Sequence, residues 1–144
     1  MPHTESVSLL LGIQSQIRDH VSTELPTRYL IPVFGDQLSR DSRLFDFADP
    51  DQDVFVMAEV RDEIERHRSH RQRVILFLSA MRHFRDDVEE KGFRVEYTQF
   101  DDSDPHPDLV SAIREAISDH TPSSLLLLEP GRFELEQDVR SLAR

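Results

Sequence analysis

The pattern of apolar and polar positions changes along the chain, and its first recognisable element lies near the amino terminus. Apolar residues recur there every three or four positions, with polar residues between them: Leu10, Ile13, Ile17 and Val21. This spacing places the apolar side chains on one face of a helix. We therefore expect an extra amphipathic helix over residues 6–23, ended by Pro26, within an amino-terminal segment of residues 1–26.

Four short apolar runs follow, and each has the length and composition of a β-strand. They are RYLIPVFGDQ at residues 28–37, DVFVMAEV at 53–60, FRVEYTQF at 93–100 and SSLLLLEPG at 123–131. Continuous apolar runs are typical of parallel strands covered on both faces, whereas the third run alternates with polar residues, as expected nearer a sheet edge. Pro32 lacks an amide donor, so it predicts a bulge or an edge-like stretch in the first run.

Segments with helical spacing separate these runs. The segment 61–91 has apolar residues three and four positions apart, and Gly92 stands where the end of a helix favours a left-handed residue. Further helices are predicted behind Pro107 and over residues 132–142. Because strands alternate with helices, we expect an α/β fold over residues 27–144, a doubly wound three-layer sandwich with a mainly parallel sheet of four strands.

Composition narrows the classes of function. The 144 residues are enough for one domain, and hydrophobic and charged residues at 38% and 31% are typical of a globular protein. The formal net charge of -11 disfavours binding of nucleic acid or anionic lipid by this chain alone. With no cysteine and four glycines, the chain has no disulfide, thiolate metal site, iron–sulfur ligand or Gly-rich phosphate loop.

The amino terminus has no positively charged segment ahead of its apolar residues, which argues against a secretory signal peptide. No stretch reaches the roughly 20 apolar residues that a membrane-spanning helix needs. A cytoplasmic location without membrane association is therefore the expectation.

Acidic residues follow each of the four predicted strands, at the end where ligands bind in sheets of this kind. They are Asp36 after the first strand, Glu59 after the second, Asp101 and Asp102 after the third, and Glu129 after the fourth. Carboxylates on one rim could accept hydrogen bonds from a polar ligand or coordinate a divalent metal ion. Acidic residues beside turns more often cap the helices that follow. The spacing leaves these alternatives open.

A basic cluster, RHRSHRQR at residues 66–73, interrupts the acidic chain. Its four arginines could bind a phosphate group or the surface of another protein. Such a run is more often the solvated face of a helix. No carboxylate stands at ligand spacing from His67 and His70, so the cluster does not match a metal motif.

Five sequence blocks stand in a distinctive order and spacing: FGDQLS at residues 34–39, DVFVMAEV at 53–60, LSAMRHF at 78–84, GFRVEY at 92–97 and LLEPGRFE at 127–134. Together they resemble the photolyase-related branch of the cryptochrome and photolyase family. The resemblance covers residues 28–134 and is specific as a set, although each block alone is weak. It implies the Rossmann-like α/β antenna domain with which these proteins begin, a fold in which a fifth strand can join the sheet.

The resemblance implies a binding role. Several members hold dimethyl-ribityllumazine in this domain as a light-harvesting pigment, and a separate helical domain carries the catalytic FAD, an iron–sulfur cluster and the DNA-binding surface. The positions that match the pigment site are Gly35, Asp36, Glu59 and Glu63. The chain would then serve light-driven DNA repair or blue-light sensing without being a lyase by itself, because the domain with FAD and the cluster is absent from it.

The implied fold also predicts a partner. The fifth strand of the family lies beside the fourth, and this chain is expected to stop short of it. The apolar edge at SSLLLLE would then be covered by a homodimer partner or by the predicted helix at 6–23. A separate catalytic polypeptide is a second expected partner. Two other functions stay open: an interaction module that uses the amphipathic helix and the basic cluster, and a metal-dependent enzyme that uses the acidic rim.

Overall fold

The computed structural model describes residues 26–66, 70–100 and 106–142, together with the backbone of Leu11–Gly12. In these ranges the strands are β1 (Leu11–Gly12), β2 (Tyr29–Pro32), β3 (Val54–Ala58), β4 (Arg94–Thr98) and β5 (Ser124–Leu125). They form one sheet in the order β1-β5-β2-β3-β4. The strands β2 to β5 run parallel, and β1 pairs with β5 in the antiparallel direction. The predicted α/β fold with a mainly parallel sheet is confirmed.

Within the described residues, the helices are α1 (Leu44–Phe47), α2 (Arg61–Arg66), α3 (Arg71–Glu90), α4 (Leu109–His120) and α5 (Phe133–Ser141). Asp108 caps the amino end of α4 by accepting a hydrogen bond from the amide of Ser111. α3 ends at Glu90, and Gly92 follows it in the predicted left-handed conformation, with a φ of 91° and an amide that donates to the carbonyl of Glu89. No helix in this part of the chain is long and apolar enough to cross a membrane.

Alternate residues along the strands face two separate hydrophobic cores, one on each side of the sheet. In β2, Leu30 faces the core formed with α4 and α5, whereas Ile31 faces the core formed with α1 and α3. Val54 and Phe55 repeat this alternation in β3. A strand covered on both sides can be apolar at every position, which explains the continuous apolar runs. The predicted three-layer arrangement is therefore confirmed.

The predicted amino-terminal helix is wrong at the two residues of it that the structure describes. Leu11 and Gly12 form a strand opposite Leu125 and Ser124, because the outer edge of β5 presents backbone groups that need hydrogen-bond partners. The edge that we expected to be open is thus covered at this point, by a strand and not by a helix. The rest of the predicted helix lies outside the described residues, and the domain boundary after Pro26 stays a prediction.

Pro32 does not produce the predicted bulge or edge-like stretch. It is buried in the central strand β2 and pairs in register with Val56 of β3. The amide of Val33 donates to the carbonyl of Val56 in β3. Because backbone groups alternate in direction along a strand, the nitrogen of Pro32 points the other way, toward β5. The ladder between β2 and β5 ends at Leu30 and Leu125. The missing donor therefore falls where that ladder stops.

The long helix predicted over residues 61–91 is divided into α2 and α3. His70, just before α3, has φ of -135° and ψ of 89°, which lie outside the helical region. Residues 67–69 of the basic cluster lie outside the described residues. As a separate helix, α2 brings Glu63 and Arg66 to a cavity at the end of the sheet.

Candidate functional site

The order of the strands draws attention to one position at the end of the sheet. From β2 the chain proceeds outward through β3 and β4, and it then returns to place β5 on the other side of β2. The two directions meet between the carboxyl ends of β2 and β5, and open sheets of this type bind ligands at such a switch point. Because the ladder between these strands stops at Leu30 and Leu125, the segments that follow can frame a crevice.

A cavity of about 360 Å³ lies at this position. Its walls come from the loops after β2 and β5 and from the nearby helices: Phe34, Gly35, Asp36, Glu63, Arg66, Phe77, Leu109, Gly131, Arg132 and Leu135. A second cavity of about 700 Å³ shares Asp36 and Gly131 with it. We call the two cavities together the crevice. Each volume lies in the range of small-molecule binding sites.

Gly35 shapes the crevice because it has no side chain and so leaves room for the Phe77 ring. The ring of Phe77, from α3, lies over this glycine, and a Cβ on residue 35 would come within 2.3 Å of the ring carbon Cε2. Only glycine leaves room for the contact. The resemblance places Gly35 in the pigment site, where a glycine would let a ring approach the backbone. In the structure, the space over it is filled by Phe77, which itself lines the first cavity.

Asp36 and Gly131 bring the loops after β2 and β5 together at the mouth of the crevice. Asp36 is exposed, and a Cβ on Gly131 would come within 2.8 Å of its carboxylate oxygen Oδ2. The side-chain amide of Gln37 links the same loops by donating to the carbonyls of Leu128 and Glu129. Among the described residues, none donates a hydrogen bond to the Asp36 carboxylate, so its oxygens can accept hydrogen bonds from a ligand.

Glu63 reaches the crevice from α2. Its Oε1 atom accepts a hydrogen bond from Nη2 of Arg132 at 2.6 Å, which joins α2 to the loop before α5. Arg66, one turn further along α2, pairs with Asp62 at 3.3 Å. The charged residues that line the first cavity are two carboxylates, of Asp36 and Glu63, and two guanidinium groups, of Arg66 and Arg132. Among the described residues, the charges that line this cavity therefore balance.

Glu59, the remaining predicted site residue, has different surroundings. It follows β3 and is buried, with 1% of its surface exposed. Its carboxylate accepts hydrogen bonds from the Arg82 guanidinium at 2.7 and 2.9 Å, the Tyr97 hydroxyl at 2.6 Å and the Phe100 amide at 2.8 Å. We call these four residues the Glu59 network. The network joins β3 to α3 and to the end of β4.

Hydrogen bonding in the Glu59 network changes the ionisation of its members. Burial alone would raise the pKa of Glu59, but the hydrogen bonds from Arg82, the Phe100 amide and Tyr97 outweigh burial and lower that pKa. The pKa of Tyr97 is raised by burial and by its hydrogen bond to the carboxylate. All of the acceptor sites of Glu59 are engaged by these hydrogen bonds, so a ligand would have to displace one of them.

Three of the four predicted site residues meet at the crevice: Gly35, Asp36 and Glu63. Glu59 is not among the residues that line either cavity. Of the other acidic positions on the predicted rim, Glu129 lines the second cavity, and Asp101 and Asp102 lie outside the described residues. The structure thus gathers part of the predicted rim at one place and buries another part in the Glu59 network.

Phe77, Gly131 and Arg132 are among the crevice residues that sequence reasoning missed. The block LLEPGRFE contained a usable signal, because a glycine soon after a strand often marks a place where the backbone approaches another group closely. Arg132 follows that glycine directly. Phe77 carries no comparable signal, since a phenylalanine at helical spacing is typical of core packing.

Comparison with known proteins bears on what the crevice serves. Residues 31–144 match the family described as deoxyribodipyrimidine photo-lyase-related protein. The chain belongs to this family. The matched range contains every residue that lines the first cavity, and the resemblance found in the five sequence blocks is confirmed.

A curated relative of this photolyase-related chain is the (6-4) photolyase of Agrobacterium fabrum (strain C58 / ATCC 33970). The two are 34% identical over 114 residues, which make up 79% of this chain and 22% of that photolyase. The chain therefore spans less than a quarter of the length of the relative.

Two other predictions concern this photolyase-related chain. Within the described residues, no three histidine, aspartate or glutamate side chains are gathered as a metal site requires, so this part of the chain gives no support to the metal-dependent alternative. Of the basic cluster, Arg66 lines the first cavity, whereas Arg71 and Arg73 are exposed on α3. The cluster is thus divided between the crevice and the surface of α3.

Proposed function

We propose that this photolyase-related chain is an antenna-type domain that binds a light-harvesting chromophore in the crevice between β2 and β5. The ligand is a flat heteroaromatic ring with a polyol chain, of the dimethyl-ribityllumazine type. The domain then serves light-driven DNA repair or blue-light sensing. The observation that carries the proposal is that Gly35, Asp36 and Glu63 line one cavity, since these are positions that the resemblance assigns to the pigment site.

The size and the apolar walls of the crevice suit such a ligand. The first cavity, at about 360 Å³, lies at the lower end of the range for small-molecule sites, and the second extends it. Phe34, Phe77 and Leu109 supply apolar wall, against which a flat ring buries its faces. Because the Phe77 ring rests on Gly35, this wall is held in place before any ligand arrives.

The polar groups of the crevice also suit such a ligand. Asp36 can accept hydrogen bonds from ring N–H groups or from ribityl hydroxyls, and Glu63 retains a second carboxylate oxygen beside the one bound to Arg132. Arg132 has further N–H groups that can donate to a ring carbonyl. Since the charges of the described residues that line the first cavity balance, the cavity favours neither an anion nor a cation, and a ligand without net charge suits it.

Repair or signalling requires chemistry outside this chain. The chain spans 22% of the (6-4) photolyase to which it is similar, and its net charge of -11 disfavours binding to DNA by this segment alone. We therefore assign FAD, the iron–sulfur cluster and DNA binding to a catalytic region that lies further along the polypeptide or on a separate chain. In this scheme the antenna domain collects light and has no lyase activity of its own.

Titration with dimethyl-ribityllumazine, followed by the anisotropy of its fluorescence, tests the proposal. The chain should bind the pigment, and Asp36→Ala should weaken binding about tenfold, because a hydrogen bond to a charged group is worth about 1.5–3 kcal/mol. Asp46→Ala is the matched control, since Asp46 is also exposed but lies on α1 and lines neither cavity. Failure of the chain to bind, or an equal loss in both variants, would contradict pigment binding at this site.

A second candidate function, a protein-interaction module, rests on the surface of α3. Ile75 and Leu76 are 59% and 72% exposed, beside the exposed Arg71 and Arg73. Exposed apolar side chains next to arginine are typical of protein contact surfaces. The double substitution of Ile75 and Leu76 by serine should then abolish association with a photolyase-related catalytic polypeptide, measured by sedimentation, and leave pigment binding unchanged. Undiminished association would rule out this surface.

A further inference from the structure

One edge of the sheet is unpaired in the part of the chain that the structure describes. β4 is the last strand in the order β1-β5-β2-β3-β4, and within the described residues it pairs with β3 alone. Thr98 accepts a hydrogen bond from the amide of Glu59 on the β3 side. Because backbone groups alternate in direction, those of Val95 and Tyr97 point outward, away from β3. An edge strand with outward donors and acceptors is a template for pairing with another chain.

We infer that this edge pairs with the same edge of a second copy of the chain, in an antiparallel register centred on Val95. A twofold axis perpendicular to the sheet makes each face of one copy continue into the same face of the other copy. Two residues opposite each other must therefore lie on the same face. Centring on Val95 sets Arg94 opposite Glu96 of the second copy, and the symmetry repeats the pair. These positions form a non-hydrogen-bonded pair, in which side chains come closest and opposite charges stabilise.

The same charges disfavour the neighbouring registers. Two neighbouring registers also keep the faces aligned. One is centred on Arg94 and sets it opposite Arg94 of the second copy, and the other is centred on Glu96 and sets it opposite Glu96. Like charges directly opposite each other destabilise a strand pair. The register centred on Val95 is therefore the one that the charge pattern of β4 selects among these three.

The groups that this pairing needs are available. Arg94 is exposed and has no ion-pair partner among the described residues. Glu96 contacts His120 of the same chain through Oε2, which leaves Oε1 for Arg94 of the second copy. At the centre, the two copies of Val95 exchange amide-to-carbonyl hydrogen bonds, and each Tyr97 amide meets the carbonyl of Phe93 across the axis.

The other edge of the sheet does not offer the same opportunity. The outer side of β5 is paired with β1 at Leu11–Gly12, so the homodimer that we expected at that edge would have to displace β1. A dimer through β4 displaces no described strand. It also leaves the crevice open, because none of the residues that line the first cavity belongs to β4.

Charge exchange tests the pairing. The whole chain should sediment as a dimer, in a manner that depends on concentration across about two decades. Glu96→Arg and Arg94→Glu should each shift it to the monomer, because each sets like charges opposite one another. The double variant R94E/E96R should restore the dimer, since the opposite charges have only exchanged places. Glu65→Arg, at an exposed position of α2, makes the same change of charge elsewhere and should leave the dimer intact.

The double variant also guards against misinterpretation through loss of folding, because a chain that fails to fold cannot regain the dimer. A monomeric wild type at every concentration, or a double variant that stays monomeric while its circular dichroism matches the wild type, would overturn the inference.

A single cysteine can test the register directly, because the chain contains no cysteine. In the proposed register the Cα atoms of residue 95 in the two copies lie about 5.5 Å apart, the spacing that a disulfide favours. Val95→Cys should therefore cross-link under oxidising conditions. Gln99→Cys is the control, since its two copies would lie roughly 25 Å apart at about 3.3 Å per residue. Equal cross-linking of the two variants would contradict this register.

Discussion

The Glu59 network and the crevice at Asp36 both lie at the carboxyl end of the sheet, and each is built around a carboxylate that follows a buried parallel strand. Glu59 is 1% exposed and accepts hydrogen bonds from three other residues. Asp36 is exposed, and none of the described residues donates to it. One carboxylate is therefore committed to holding the fold together, whereas the other can serve a ligand.

The difference arises from the neighbours of each strand. β3 lies between two parallel strands, and the carboxylate that follows it is covered by α3 and by the end of β4 through Arg82 and Tyr97. β2 is paired with β5 only as far as Leu30 and Leu125, so the loops beyond them stay apart and form the crevice. Both strands lie between two parallel neighbours, so the extent of the pairing beside each strand is what separates the buried carboxylate from the open one.

Among the substitutions considered, removal of the Glu59 side chain should lower the free energy of unfolding most. Glu59→Ala leaves the Tyr97 hydroxyl and the Phe100 amide without their acceptor, at a cost of about 1–3 kcal/mol for each buried group. The Arg82 side chain is 42% exposed, so water can solvate its charge and it adds little to the cost. We expect the free energy of unfolding in urea to decrease by about 3 kcal/mol.

Asp36→Ala provides the contrast to that experiment. Asp36 is exposed, and substitutions at such surface positions change stability by less than about 0.5 kcal/mol. A loss of stability of similar size in the two variants would break the distinction between the Glu59 network and the crevice.

Protonation of Glu59 is a milder perturbation of the same network, because the carboxyl group stays in place. The folded-state pKa of Glu59 is lowered, so in acid the unfolded chain binds protons before the folded chain does. The stabilisation is therefore fully present above the ordinary carboxyl value of 4.5 and is lost as the pH falls toward the lowered pKa. Urea unfolding measured from neutral to acidic pH should show a steeper loss for the wild type than for Glu59→Gln, which does not titrate. Parallel curves would contradict a structural role for this ionisation.

Much of the fold could be predicted, because apolar residues with a period of two or in continuous runs differ from those with a helical period. Each of the four parallel strands lies within its predicted run. The errors occurred where distant contacts override local pattern. Leu11 and Gly12 lie within a segment of helical spacing, yet they pair with the edge of β5 as a strand. Pro32 is tolerated in a central strand because its missing donor falls at the end of a ladder.

The location of the site could be predicted better than its composition. Ligands bind where strand order reverses, and the structure has a cavity at that reversal, so the sequence could indicate where the candidate site lies. Whether a given carboxylate is already satisfied depends on residues far away along the chain. The partners of Glu59 in α3 and β4 are 23 and 38 positions distant, and no local pattern around Glu59 reveals them.

A methyl group on Gly35 should have an intermediate effect on the free energy of unfolding. In Gly35→Ala the new Cβ would lie 2.3 Å from the Phe77 ring, and a rigid ring between packed elements cannot yield without cost. Overpacking of this kind destabilises by about 1–3 kcal/mol, and displacement of the ring should also weaken pigment binding. Gly131→Ala is the comparison, because its Cβ would meet only the flexible end of Asp36 at 2.8 Å. It should weaken pigment binding with a smaller change in the urea midpoint, and the reverse ranking in stability would show that Phe77 is not held by Gly35.

The smallest effect is expected from the ion pair that joins α2 to the loop before α5. Glu63 and Arg132 have side chains that are 19% and 38% exposed, and pairs of this kind contribute less than about 1 kcal/mol because water screens them. Glu63→Gln should therefore change unfolding only slightly. It should still weaken pigment binding, since it removes a charged acceptor from the first cavity and leaves Arg132 without its partner there.

Asp62→Asn is the control for Glu63→Gln. It removes the neighbouring pair with Arg66, which is more exposed, and should leave pigment binding unchanged because Asp62 does not line the first cavity. If both variants bind pigment like the wild type, Glu63 serves only to dock α2, and Asp36 remains as the acidic group that distinguishes the crevice from the Glu59 network.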